Sequence, residues 1–274
     1  MTSCTFSVHS LTLSKFFPSV GQTKSIELFF FFGISDAAAF KHCLASDIQH
    51  RISSVSKILA VCRQPITAVN IGFSASGLQT LSIDPATLNM GSFDAGQWKD
   101  ASFLGDSGTN WRPGPEFAGT SIHGLLIFQS DTIANINHEL YSIKRALGNS
   151  VVELYQLRGE LRPGDQAGHE RELFWLFKSL EWSTRIDFGY LDGISQPAIR
   201  GFTKHPLPGQ VLINPGIFLL GENGDTLATS RPAWAKDSSF LAFRQLQQKV
   251  RYLRVSCIGS KLNCTRSPNS TPTF

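Results

Sequence analysis

One stretch of the 274-residue chain has the makings of a reactive loop: Phe188-Gly189-Tyr190-Leu191-Asp192-Gly193-Ile194-Ser195-Gln196-Pro197. Asp192 stands between closely spaced glycines, which let a backbone approach a ligand with little steric hindrance. The same residues also describe a plain turn with an acid in it, since Asp-Gly is a common turn dipeptide. Other chemistries find less support. Ser74, Ser76 and Ser195 lie near glycines, but none sits in a G-x-S-x-G elbow. No G-x-G-x-x-G follows a strand, so a dinucleotide site is not indicated. The five cysteines (Cys4, Cys43, Cys62, Cys257, Cys264) include no C-x-x-C pair. They read as free thiols rather than a zinc site or a disulfide framework.

The elements that must position such a loop follow from periodicity. Apolar residues make up 42% and charged residues 17%, the balance of a globular chain with a real core. The net charge of +4 is spread out, and its longest basic cluster, Lys249 to Arg254, is too short to suggest a nucleic-acid groove. No uninterrupted apolar run is long enough to cross a bilayer. Met1 to Val20 lacks the apolar centre and small-residue cleavage site of a secretory signal. Ile26 to Phe32 suits a buried strand, and its four phenylalanines require cover on both faces, by helices or by a second domain. Ser35 and Asp36 open a helical stretch with Phe40, Leu44 and Ile48 on one face. Thr67 to Phe73 reads as a strand, and Ser74 to Leu78 as a turn into a short helix. Residues 82–120 form a long loop containing Trp98 and Trp111. Ile122 to Gln129 is a third strand. Ser130 is placed to cap a helix whose Ile133, Ile136, Leu140, Ile143 and Leu147 repeat at three and four residues until Gly148. Val151 to Leu157 is a fourth strand.

Strand, helix, strand, short helix, strand, helix, strand is the order of an α+β, ferredoxin-like plan, a four-stranded antiparallel sheet with its helices on one side. A second such unit is expected to begin at residue 208. Its apolar segments are Val211-Leu212-Ile213 and Ile217 to Leu220, followed by Phe240 to Phe243 as a strand entering a helix. Arg251 to Phe274 has no periodicity and reads as a loose tail. It holds two glycosylation sequons, at Asn263 and Asn269, to which the tail gives little weight.

Gly189-Tyr190-Leu191-Asp192-Gly193 matches the G-x-x-D-G motif of dye-decolorizing peroxidases, and Ile194-Ser195-Gln196-Pro197 continues it. Glu27 to Phe32, Val69 to Ile71, Phe117 to Gly124, Arg162 to Gln166, Arg231 to Trp234 and Phe243 to Gln248 resemble fungal members too. The similarity runs over residues 22 to 250. It implies a heme b peroxidase of two ferredoxin-like domains with the heme between them. Asp192 would be the distal acid, and Asp192, Gly193, Ile194 and Ser195 the loop against the heme. Hydrogen peroxide would be reduced, and aromatic dyes or phenolics oxidised. A distal Arg and a proximal His complete the site in such relatives.

The chain departs from that pattern in ways that matter. The resemblance stops near Val250, before the region where relatives carry the proximal His and distal Arg. His205 is the only histidine after Asp192, and its Lys-His-Pro setting does not match the proximal position; neither do His9, His42, His50, His123, His138 or His169. No residue is therefore expected to bind the metal. Residues 171–187 interrupt the usual passage from Gly168-His169-Glu170 to Phe188. Leu173, Phe174, Leu176, Phe177 and Leu180 make this insert apolar enough for a helix. Residues 1–21, 171–187 and 251–274 together read as translated intron in preference to a specificity insertion. The expected organisation is an atypical start (1–21), an N-terminal domain (22–207), the start of a second (208–250) and an atypical tail (251–274). The rival expectation is a truncated, catalytically inactive folding or interaction module. A cytosolic location follows from the missing signal, against the extracellular one of many fungal relatives.

Overall fold

The computed structural model describes residues 26–53, 65–96, 99, 102–103, 105, 121–160, 197–203, 206 and 209–243, and the backbone of 2–9, 174–175 and 244–245. Its centre is the run of apolar residues in β2 (Ile26–Ile34). Side chains alternate along a strand, so Leu28, Phe30, Phe32 and Ile34 enter one apolar cluster, and Phe29 and Phe31 enter another. Both faces are covered, as four phenylalanines require. Phe30, Phe31 and Phe32 are almost fully buried, and each such burial contributes roughly 1.5–3 kcal/mol.

The partners of β2 are β4 (Gly124–Ser130) on one side and β5 (Val151–Glu160) on the other, both antiparallel. β3 (Thr67–Phe73) pairs antiparallel with β4. The order β5-β2-β4-β3 is that of the expected four-stranded antiparallel sheet. Its first face carries α1 (Ala37–Cys43) and α4 (Ile133–Leu147), which bury Phe40 and the stripe Ile136, Leu140, Ile143 and Leu147. Asp36 caps α1 by accepting from the amides of Ala38 and Ala39 at 3.0 Å. A five-residue π turn, Leu44–Ile48, continues α1 and buries Ile48. Ser74 caps the short α2 (Ala75–Thr80).

Several local expectations shift. Ser130 does not cap α4. It belongs to β4, where its hydroxyl donates to the Ile66 carbonyl at 2.6 Å. Thr132 is the cap, accepting from the Asn135 amide at 3.2 Å. The long loop after α2 contains a 3₁₀ turn (Pro85–Leu88) and α3 (Gly91–Ala95), while Trp98 and Trp111 lie outside the described residues. Phe174 and Trp175, expected in a helix, instead form the short β6 on the free edge of β5, where unpaired backbone groups accept a strand. The rest of 171–187 lies outside the described residues, as do residues 10–21 and the tail.

β7 (Ala198–Ile199) and β8 (Leu212–Ile213) form a separate parallel pair. Pro215–Ile217, between the two apolar segments and reaching the first residue of the second, is a 3₁₀ turn. β9 (Ser239–Gln245) takes in Arg244 and Gln245, which were expected to start a helix. It pairs with β1 (Thr2–His9), which pairs with β3, so both extend the sheet that β2 centres. In a flat sheet, strands β2 and β9, four places apart, would be about 19 Å from each other. Yet the Phe243 ring lies 5.0 Å from Phe31 and 5.4 Å from Phe29. The sheet therefore curls, and its second face becomes an interior.

Candidate functional site

The segment that follows the G-x-x-D-G motif in sequence is well held. Asp192, Gly189, Gly193, Ile194 and Ser195 lie outside the described residues, and Pro197 is the first described position after them. Immediately beyond it, Ala198 and Ile199 are buried. The Ala198 amide donates to the Val211 carbonyl and that of Arg200 to Ile213, both at 2.9 Å. The Ile199 amide donates to Thr203 Oγ1 at 3.0 Å, closing the turn that follows. Arg200 Nε reaches Asn214 Oδ1 at 3.2 Å. The residues that follow the motif are thus held by backbone bonds from Ala198 and Arg200 to the β8 segment.

The segment after β8 is organised by a buried ion pair. Asp225 Oδ2 accepts from Arg231 Nε at 3.1 Å and from the Gly221 amide at 2.9 Å. Its Oδ1 accepts from Arg231 Nη2 at 3.3 Å and from the Leu227 amide at 3.0 Å. Arg231 Nη1 donates to the Leu88 carbonyl, at the end of the 3₁₀ turn on the other side of the molecule's sequence. The two side chains are only 7% and 5% exposed. Burial pushes the Asp225 carboxyl up, but the hydrogen bonds from Arg231, Gly221 and Leu227 and the guanidinium charge outweigh it. They hold Asp225 below the usual carboxylate range. Sequence reading singled out Arg231 only as part of a family likeness and missed Asp225. An acid and a base six positions apart in a loop leave no periodic signal.

The curled interior is mostly apolar, with Phe29, Phe31, Leu125, Ile127, Leu157 and Phe243 in one cluster. It also holds polar groups. Glu27 and Gln129 face each other across β2 and β4, and Gln129 Nε2 donates to Glu27 Oε1 at 2.7 Å. Asn70, 2% exposed, stands beside Ile127, and its Oδ1 has no hydrogen-bond partner among the described residues. Tyr155 packs on Phe31 at 5.9 Å, and burial raises its pKa.

His42, His50 and His138 are exposed among the helices. His123 Nδ1 accepts from the Ile34 amide at 2.9 Å, which leaves the proton of the neutral ring on Nε2, and burial lowers its pKa. Among the described residues no three His, Cys, Asp or Glu side chains gather as a metal site, and no helix is long and apolar enough to cross a membrane. His169 and His205 lie outside the described residues. Ser74 and Ser76 are structural, hydrogen-bonded to each other at 2.9 Å and to the Ile122 carbonyl. Cys43 is a free thiol.

This fold matches known proteins. The DyP dimeric alpha+beta barrel domain matches residues 19–163. A dye-decolorizing peroxidase of Mycena epipterygia is 49% identical over 231 residues, covering 84% of this chain and 40% of that protein. One of Mycetinis scorodonius is 50% identical over 240 residues, covering 84% and 42%. The chain thus spans about two fifths of the length of these curated relatives. A crystal structure of the decolorizing peroxidase of Auricularia auricula-judae superposes with a TM-score of 0.73 at 39% identity, over 95% of this chain and 53% of that one. A dye-decolorizing peroxidase in complex with 2,6-dimethoxyphenol gives 0.73 at 38%, over 91% and 53%. One with an engineered heme pocket gives 0.66 at 40%, over 81% and 45%. With the α+β barrel domain matched over more than half its length, the chain belongs to the dye-decolorizing peroxidase family.

Proposed function

We propose that the chain is the acid-bearing part of a heme peroxidase of the dye-decolorizing type, reducing hydrogen peroxide and oxidising bulky aromatic dyes or phenolics. The observation that carries this reading is a family fold in which the G-x-x-D-G loop of Asp192 runs directly into the β7 anchor. Relatives known with a phenol and with an engineered heme pocket support the substrate and cofactor by likeness. Heme b, against the loop of Asp192, Gly193, Ile194 and Ser195, would supply the redox chemistry. The task of Asp192 is to take a proton from peroxide on its carboxylate and return it to the leaving oxygen. That requires an ionised carboxylate, which an ordinary Asp is above a pH of about 4.

A second reading is a folding or interaction module without catalysis. Titration of the purified chain with hemin, followed by the Soret band and by peroxide turnover of an aromatic dye, separates the two. The peroxidase reading expects a saturable Soret shift and turnover that Asp192→Asn lowers by about 100-fold or more without changing the shift. An unchanged free-hemin spectrum without turnover supports the module.

A further inference from the structure

We propose that His123 is an acid-sensitive latch: its neutral imidazole joins β2 to the start of β4 and to α2, and its protonation releases the β2 end of that joint.

The latch lies where the β2–β4 ladder ends. The two strands pair as far as Phe32 and Gly124, and the His123 amide still donates to the Phe32 carbonyl at 2.9 Å. β2 runs on beside β5 to Ile34, a residue only 8% exposed. A buried backbone amide is costly to leave unpaired. A side chain meets this one: the Ile34 amide donates to His123 Nδ1 at 2.9 Å. The His123 carbonyl in turn accepts from the Ser74 amide at 3.1 Å, and Gly77 of α2 packs directly against it. One residue thus ties a strand end, a strand start and a helix.

Only the neutral ring can do this. With its proton on Nε2 it offers Nδ1 as an acceptor, whereas the imidazolium donates from both nitrogens. Protonation therefore sets one N–H against another, and the Ile34 bond is lost. The ionisable groups of the surrounding elements have other positions or partners. β3, β4 and α2 carry none. Glu27 stands at the far end of β2, beside Gln129. Asp36 caps α1. On β5, Glu153 opposite Phe32 is paired with Lys144, and Tyr155 opposite Phe31 packs on that ring. Burial holds the pKa of His123 below the ordinary value of about 6.5. The latch is therefore closed at neutral pH. Its contribution is complete above about 6.5 and is lost as the pH falls through the folded value.

Amide hydrogen exchange on the full 274-residue chain tests this, each rate being referred to the intrinsic rate at its pH. Between pH about 7 and about 4.5, protection at Ile34 should fall by about 10-fold or more relative to Ile136, Leu140 and Ile143 of α4. In His123→Asn, whose Oδ1 accepts throughout that range, the selective fall should vanish. NMR of the ring nitrogens needs no variant, and at neutral pH it should find the proton of His123 on Nε2. A proton on Nδ1 at neutral pH overturns the proposal. So does Ile34 protection that merely follows α4 in the wild type, or a selective fall that survives in His123→Asn. None of these readouts uses hemin, so the latch and the peroxidase reading stand or fall separately.

Discussion

Asp225 shows how a single carboxylate can depend on its neighbours. Four donors converge on it, and its pKa lies below the ordinary value. A carboxyl with a depressed folded pKa adds stability that is fully present above its unfolded pKa, about 3.9. That stability fades as the pH falls through the folded value. At neutral pH, Asp225→Asn leaves Arg231 buried without a counter-charge, and a loss of about 3–5 kcal/mol is expected. The gap between wild type and variant should narrow as the pH drops below about 4, because protonation weakens the wild-type pair as well. Urea midpoints measured from neutral to acid pH check both the size and the sign. A gap that stays constant into strong acid would show that Asp225 does not titrate with the fold.

Among the elements, α2 and β4 meet more closely than any local preference explains. A Cβ on Gly77 would stand 1.9 Å from the His123 carbonyl oxygen. The contact exists because Ser74, the cap of α2, donates to the Ile122 carbonyl at 2.6 Å and draws the helix onto the entry to β4. Alanine at an exposed helix site gains about 1 kcal/mol over glycine. Here the clash is with backbone, so relief means moving a helix off a strand. Gly77→Ala should therefore destabilise by about 2 kcal/mol despite the propensity gain. Thermal melting decides the sign, and a raised midpoint would mean the close approach is not kept in solution.

For the molecule as a whole, the curl of the sheet is the decisive property, and Phe243 is its seam. Its ring meets Phe29 and Phe31 across an interior that a flat sheet could not close. Phe243→Ala removes both ring contacts and leaves a void, at an expected cost of about 3–5 kcal/mol. The loss should appear as a lower urea midpoint with increased binding of an apolar dye, because the interior becomes accessible along the β9 edge. A variant with an unshifted midpoint would show that β9 is dispensable to the barrel.

Local pattern determined much of this protein. The alternation of Leu28 to Phe32, the stripe from Ile136 to Leu147, the Asp36 cap and the Gly148 stop were all legible. Periods of two and 3.6 are written into which side chains are apolar, and caps into which residue can turn inward. The G-x-x-D-G stretch was legible as a motif, and the role proposed for Asp192 rests on resemblance alone. Tertiary structure decided the rest. Strand pairing runs through backbone groups that every residue shares, so nothing in Ser239–Gln245 announces β1 as its partner, or in Phe174-Trp175 the edge of β5. Thr132 rather than Ser130 caps α4 because β4 runs on to Ser130 and commits its hydroxyl to Ile66. Asp225 and Arg231 become a pair only once burial removes water as the competing partner of both charges.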